Sequence, residues 1–275
     1  MPPRLLAFDL DGTLLTTDKR LSTANREALA DMVACGLVVA LASGRLRASM
    51  QTVARQLDID PAMLTLNGAA VYTSAAPEAE AIHRLGLQAE FADELLTHAS
   101  QRDFALNFYI NDTLHTVRTP RTARWTDLYV DQTSSVYEFV DSLEELRGRG
   151  PDKIIFVGDR ETLDKEERYF RQHWGDQVYI VRTWDYYLEF LHRDANKGSG
   201  MAALAAAFGV DLADAAAFGD SNNDIPMLEA VGHPVAMANS TAATRDASPY
   251  VSPWSNDEDG VAREWERMKG LQNAD

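Results

Sequence analysis

Short apolar runs that each stop at a small polar cluster recur along this chain, with amphipathic stretches between them. Leu5–Phe8 stops at Asp9-Leu10-Asp11-Gly12-Thr13, Leu37–Ala42 at Ser43-Gly44-Arg45, and Met63–Leu66 at Asn67-Gly68. Later, Ala215–Phe218 stops at Gly219-Asp220-Ser221-Asn222-Asn223-Asp224, and Val235–Met237 leads to Asn239-Ser240. Strands buried on both faces read as continuous apolar runs, and where helical patterns alternate with them the expected class is α/β with a parallel sheet. The carboxyl ends of neighbouring parallel strands share one edge. The polar clusters are therefore expected to converge on a single crevice.

The helix between the first two runs has Ser22 as its N-cap, Ala24, Ala28, Leu29, Met32 and Val33 on one stripe, and Gly36 past its end. Cys35 reads as a small core residue, since no histidine adjoins it in sequence to activate a thiol. From residue 84 to 190 the texture changes to aromatic and β-branched segments. Phe104–Ile110 and Leu114–Val117 flank Asn111-Asp112-Thr113 as a hairpin, and Lys153–Val157, Glu161–Trp174, Val178–Arg182 and Tyr186–His192 follow as strand, helix, strand and strand. The first texture then returns. Met201, Leu204, Ala205 and Phe208 stripe a helix ended by Gly209, Asp224 caps another with Pro226 in its first turn, and Gly232 closes it. The expected organisation is a Rossmann-like parallel sheet core with helices on both faces, residues 1–83 and 191–275, split by an inserted α+β cap domain, residues 84–190.

The 275 residues carry 26 basic and 42 acidic side chains, a net charge of −16, which disfavours nucleic acid and anionic membrane as partners. Any anionic substrate must meet a local positive site. The single cysteine excludes an intrachain disulfide and a cysteine-based zinc cluster, and no apolar run has spanning length, so the expected location is the cytoplasm.

Asp9 and Asp11 leave the first strand one residue apart, and Asp220 and Asp224 leave a later one. Carboxylates crowded at roughly 4 Å repel by about 4 kcal/mol per pair at an intermediate dielectric, and a divalent cation relieves this. An all-oxygen set favours Mg2+, which leaves coordination positions for water and a phosphoryl oxygen. In isolation, Ser43-Gly44-Arg45 reads as a turn whose arginine pairs a neighbouring carboxylate, and Lys197 as a solvated helix start. Their order between the acidic motifs gives them a functional reading. The run Asp257-Glu258-Asp259 reads equally well as a solvated loop.

Taken in order, Asp9-Leu10-Asp11-Gly12-Thr13, Ser43, Lys197 and Gly219-Asp220 with Asn223-Asp224 resemble the haloacid dehalogenase superfamily of phosphatases. The insert's position after Asn67-Gly68-Ala69 and the closing Asn256-Asp257-Glu258-Asp259-Gly260-Val261-Ala262 resemble its Cof-type branch, which hydrolyses phosphate esters, often of sugars. The resemblance spans nearly the whole chain. It implies Asp9 as a nucleophile forming an aspartyl-phosphate and Asp11 as general acid/base. It implies Mg2+ held by the Asp9 carboxylate, the Asp11 main-chain carbonyl and the Asp220 carboxylate, with Asn223 and Asp224 completing or orienting the shell. Lys197 and the Ser43 hydroxyl would balance charge on the transferring phosphoryl group, with phosphate-side positions at Gly12, Thr13, Gly44, Arg45, Asn67, Gly68 and Asn223. Asp11 argues for transfer to water, because dehalogenase and ATPase relatives lack that residue. The implied protein is a phosphatase of small phosphorylated metabolites, sugar phosphates above all, monomeric or homodimeric, whose insert sets specificity. A phosphomutase and a sugar-phosphate-binding regulator are the rival readings. On the insert, Asn107, Tyr109, Arg118, Arg182 and Tyr187 are candidate sugar contacts that alternation in a half-buried sheet explains equally well.

Overall fold

The computed structural model describes residues 3–133 and 135–272. From the start the elements are β1 (Leu5–Asp9), α1 (Thr23–Ala34), β2 (Val38–Ala42), α2 (Arg47–Ala54), β3 (Ala62–Thr65), β4 (Ala70–Tyr72) and β5 (His83–Arg84). The insert follows with α3 (Ala89–Ala99), β6 (Ala105–Ile110), β7 (Thr113–Thr116), α4 (Ala123–Thr133), β8 (Tyr137–Phe139), β9 (Lys153–Val157), α5 (Arg160–Trp174), β10 (Val178–Trp184) and β11 (Tyr187–His192). The chain ends with α6 (Lys197–Phe208), β12 (Ala215–Gly219), α7 (Ile225–Ala230), β13 (His233–Ala236), α8 (Ala242–Asp246) and α9 (Gly260–Gln272). Residues up to His83 and from Asn196 onward form one compact unit, and Arg84–Ala195 forms another. A return to the first unit at residue 191 would cut β11, whose His192 still pairs with Val178 of β10, so residues 191–195 lie with the insert.

The first unit's sheet has the order β13-β12-β1-β2-β3-β4-β5, with β13 through β3 parallel and β4 returning antiparallel after Asn67-Gly68. The five polar clusters therefore leave at one edge. Strand alternation sorts the core: Leu6, Phe8, Val39, Leu41 and Phe218 pack with α1, α2 and α9, while Leu5, Ala7, Ala40, Ala42 and Ala217 pack with α6 and α7. Asp9 continues the Leu5 and Ala7 parity, which puts its carboxylate on the α6 side. A Cβ on Gly68, where φ is +88°, would lie 2.3 Å from the Asn196 carbonyl oxygen, so glycine is what lets the start of α6 approach this edge.

Ser22 caps α1 as expected, its Oγ accepting from the Asn25 amide at 3.1 Å. The buried face is Asn25, Ala28, Leu29 and Met32; Val33 lies off it at 40% exposure, and Cys35 stands exposed past the last helical residue instead of in the core. Asn25 earns its buried place by bonding, since its amide donates to the Leu14 carbonyl at 3.0 Å and accepts from the Ala262 N–H at 3.0 Å. Gly209 ends α6 in the left-handed conformation as expected, but α7 stops at Ala230, before Gly232.

The insert's sheet has the order β10-β11-β9-β6-β7-β8 and is antiparallel except for the parallel pair β7 and β8. Asn111 and Asp112, both at positive φ, make the two-residue β6–β7 turn. Leu106, Phe108, Ile154, Phe156, Leu188 and Phe190 pack with α3 and α5. The candidate sugar contacts of the insert all bond within it. Tyr109 bonds Tyr129, Asn107 Oδ1 accepts from Tyr137, Tyr187 donates to Gln132, Arg118 pairs with Asp127, and Arg182 pairs with Asp164 and Glu167.

Candidate active site

Where β1 ends, the chain turns sharply, with the Leu14 N–H donating to the Asp9 carbonyl at 3.1 Å and the Leu15 N–H to the Leu10 carbonyl at 2.8 Å. Gly12 stands in that turn at φ +91°, where a Cβ would lie 2.4 Å from Asp220 Oδ2. Only glycine lets the β1 exit and the β12 exit meet this closely. The Thr13 hydroxyl, fully buried, donates to Asp220 Oδ1 at 3.1 Å.

Asp224 was expected to cap α7, but its side chain makes no cap bond there. It turns back instead, and its Oδ2 accepts from the main-chain N–H groups of Asp220 and Ser221 at 3.0 Å each. Asn196 caps α6 by accepting from the Ser199 N–H at 3.0 Å, which makes Lys197 the first helical residue. The Lys197 ammonium is fully buried and donates to Asp9 Oδ1 at 2.6 Å and to Asp224 Oδ1 at 2.5 Å. Asp9 Oδ2 is buried with no hydrogen-bond partner. Asp9, Asp220 and Asp224 each offer an oxygen within 4.8 Å of the others.

Burial, followed by the charges of Asp224, Asp220 and Asp11, raises the Asp9 carboxyl well above its ordinary range, against the opposing pull of Lys197. Burial and then Asp224 push Asp220 up to about 7. Burial would lower the Lys197 ammonium, yet Asp224 and Asp9 together lift it above its ordinary value, so it stays charged. That single positive charge serves three carboxylates.

Beside this centre stands a polar wall. Ser43 is buried, its carbonyl accepts from the Asn67 N–H at 3.0 Å, and its hydroxyl accepts from the Arg45 N–H at 3.3 Å. Asn67 Oδ1 accepts from Asn223 Nδ2 at 2.9 Å, and a Cβ on Gly44 would approach that oxygen to 3.1 Å. Asn223, expected in a metal shell, is engaged by Asn67 and by the Ser221 hydroxyl, which donates to its Oδ1 at 2.6 Å.

The Asp11 side chain lies outside the carboxylate triad. Arg45, expected on the phosphate side, clamps it: Nε donates to Oδ2 at 2.8 Å and Nη2 to Oδ1 at 2.5 Å, while Lys19 Nζ donates to Oδ1 at 2.7 Å. Burial would raise the Asp11 carboxyl, but the bonds and charge of Arg45, then those of Lys19, hold it below its ordinary range. Lys19 escaped the sequence reading, because nothing near it marks a site. Asp257, read equally well as solvated, accepts from the Thr17 N–H at 2.8 Å and the Thr17 hydroxyl at 2.7 Å.

A parallel sheet with a buried aspartate–lysine centre at its carboxyl edge is the architecture of an α/β enzyme. The chain belongs to the haloacid dehalogenase-like hydrolases, whose family model matches residues 6–264. The family resemblance drawn from the motif order is thereby borne out. The chain is 31% identical over 249 residues to a Serratia proteamaculans protein named HMP-PP phosphatase, covering 90% of this chain and 88% of that one. It is 30% identical over 262 residues to a Yersinia enterocolitica protein of the same name, covering 94% and 93%. The crystal structure of TM0651 from Thermotoga maritima, 26% identical, matches with a TM-score of 0.84 over 96% of this chain and 97% of that one. Among the described residues no helix is long and apolar enough to cross a membrane.

Proposed function

We propose that the chain is a Mg2+-dependent phosphatase that hydrolyses phosphate monoesters of small metabolites, sugar phosphates above all, through an aspartyl-phosphate on Asp9. The first unit carries the chemistry in this reading, and the insert carries substrate specificity. The observation behind it is the asymmetry of Asp9: one oxygen is held by Lys197 and the other is buried without a partner. An orphaned buried carboxylate oxygen is costly unless a ligand completes it. Three carboxylates with no nitrogen or sulfur donor suit a hard divalent cation, so Asp9, Asp220 and Asp224 are the residues that would hold Mg2+. When bound, the ion would supply neutralisation of the charge that Lys197 leaves uncompensated and polarisation of phosphoryl oxygens.

Lys197 pulls the Asp9 carboxyl toward the ionised form a nucleophile needs, against the burial and neighbouring carboxylates that raise it, and a bound cation would add to that pull; its charge also faces the transferring group. Asp11 is the acid and base: its carboxyl gives a proton to the leaving oxygen and recovers one from the attacking water. The test is phosphate release from a panel of sugar phosphates, HMP-PP and other phosphorylated metabolites, with and without Mg2+. Mg2+-dependent release is expected, and silence from a folded protein across the panel would sink the reading.

The same cluster sets a pH dependence. Asp220 rises in the folded state from an ordinary 3.8 to about 7, so the folded chain binds that proton more tightly than the unfolded chain. Its contribution is therefore fully present at low pH and lost as pH rises through about 4 to about 7. In EDTA, the Tm is expected to fall between about pH 5 and about pH 8. Added Mg2+ should raise Tm more at the higher pH, where it displaces no proton. An equal Mg2+ response at both pH values would refute this account of the cluster.

A further inference from the structure

Lys19 stands in the loop of residues 12–21 at φ +60°, a left-handed conformation that residues other than glycine seldom adopt. Fastenings from the far end of the chain hold that loop. Asn239 Nδ2 donates to the Gly12 carbonyl at 2.7 Å and Asn256 Nδ2 to the Leu15 carbonyl at 2.9 Å, while Asp257 accepts twice from Thr17. Within the loop, the Thr16 N–H donates to the Arg20 carbonyl at 2.9 Å and the Lys19 N–H to the Thr16 carbonyl at 2.8 Å. What this scaffold delivers is an ammonium 2.7 Å from Asp11 Oδ1.

Arg45 occupies both Asp11 oxygens at once. An acid needs one oxygen facing the leaving group, so this fork must release one of them during turnover. A guanidinium fork fits phosphate as well as carboxylate, and an incoming phosphoester dianion competes for it. Lysine is a point donor without that bidentate match, so it stays behind. We propose that Lys19, held in place by Asp257, is a positioning residue: it anchors Asp11 Oδ1 while Arg45 yields Oδ2 to the leaving oxygen. Once Arg45 yields it, Asp11 Oδ2 takes a proton from solvent; that proton passes to the leaving oxygen as an Asp9 oxygen bonds phosphorus and the ester P–O bond breaks, the bonding pair staying on the leaving oxygen. In the second half a water proton returns to Oδ2 as the water oxygen bonds phosphorus and the Asp9–phosphorus bond breaks.

This inference rests on the phosphatase reading, and the test separates the two. The probes are p-nitrophenyl phosphate, whose leaving group departs without a proton, and phenyl phosphate, whose leaving group needs one. Each is measured as kcat/KM with the Mg2+-loaded full chain, a quantity that reports the first half-reaction. Lys19→Met should lose about tenfold more on phenyl phosphate than on p-nitrophenyl phosphate, a fraction of what a general acid supplies. Lys19→Arg should restore most of the difference. Asp257→Ala, which does not touch Asp11, should show the same inequality in smaller measure. Equal losses on the two esters, or none, overturn the role of Lys19 and leave the phosphatase standing. A folded wild-type protein that releases phosphate from neither ester nor from any member of the metabolite panel overturns both.

Discussion

Asp9→Asn is expected to lower kcat by about 10⁴-fold or more, the scale of losing a nucleophile, while the protein stays folded. The substitution keeps the shape of the side chain and an acceptor for Lys197, so the 2.6 Å contact at Oδ1 has a replacement. What disappears is the partnerless Oδ2, the oxygen that would attack phosphorus. Stability should change little, because burial and the charges of Asp224 and Asp220 already penalise the ionised carboxylate. Thermal melting should therefore place the variant within a few degrees of the wild type. Acid quenching during turnover of a 32P-labelled ester should leave label on the wild-type chain and none on the variant. Activity within tenfold of wild type, or label on the variant, would remove Asp9 as the nucleophile.

The parts legible in the sequence are those that local rules dictate. Strands β1, β2, β3, β12 and β13 announced themselves because both their faces are buried, and parallel pairing brought their polar ends to one edge. Asp9, Asp220, Asp224 and Lys197 were found through their order along the chain, although Lys197 and Asp9 stand 188 residues apart. What remained hidden are side-chain pairings between loops. Arg45 was open to pairing a neighbouring carboxylate as well as to the phosphate side, but nothing local singled out Asp11, 34 residues away, as that carboxylate. Lys19 adopts positive φ without being glycine, so no turn signal marked it. Which partners would hold Asn223 was not legible either: Ser221 and Asn67 take the two ends of its amide. Cys35 and Val33 were misplaced because periodicity does not say where a helix leaves the sheet it packs on. The compact unit of the insert ends five residues past 190, because β11 runs on to His192 and the unit closes at Ala195.

Lys197→Met tests the electrostatic half of the site, and it should destabilise the fold by about 3–5 kcal/mol, the cost of leaving buried charges without their partner. The volume is nearly conserved, so packing explains little of the loss. Asp9 and Asp224 would face each other with no cation between them, and Asp220 lies in the same group. Mg2+ should then raise the Tm of the variant more than that of the wild type, because a divalent cation neutralises the oxygens that the ammonium served. Activity should not follow stability. Even with Mg2+ the variant lacks the charge beside Asp9 that faces the phosphoryl group, and kcat should stay about 10²–10³-fold low. The stability deficit should also shrink on acidification, since the raised carboxyls take up protons in the folded chain first. Denaturant unfolding at two pH values, with and without Mg2+, measures all of this. A variant as stable as wild type in EDTA at neutral pH would mean that the carboxylates are not charged together, and the case for a divalent cation among them would fall with it.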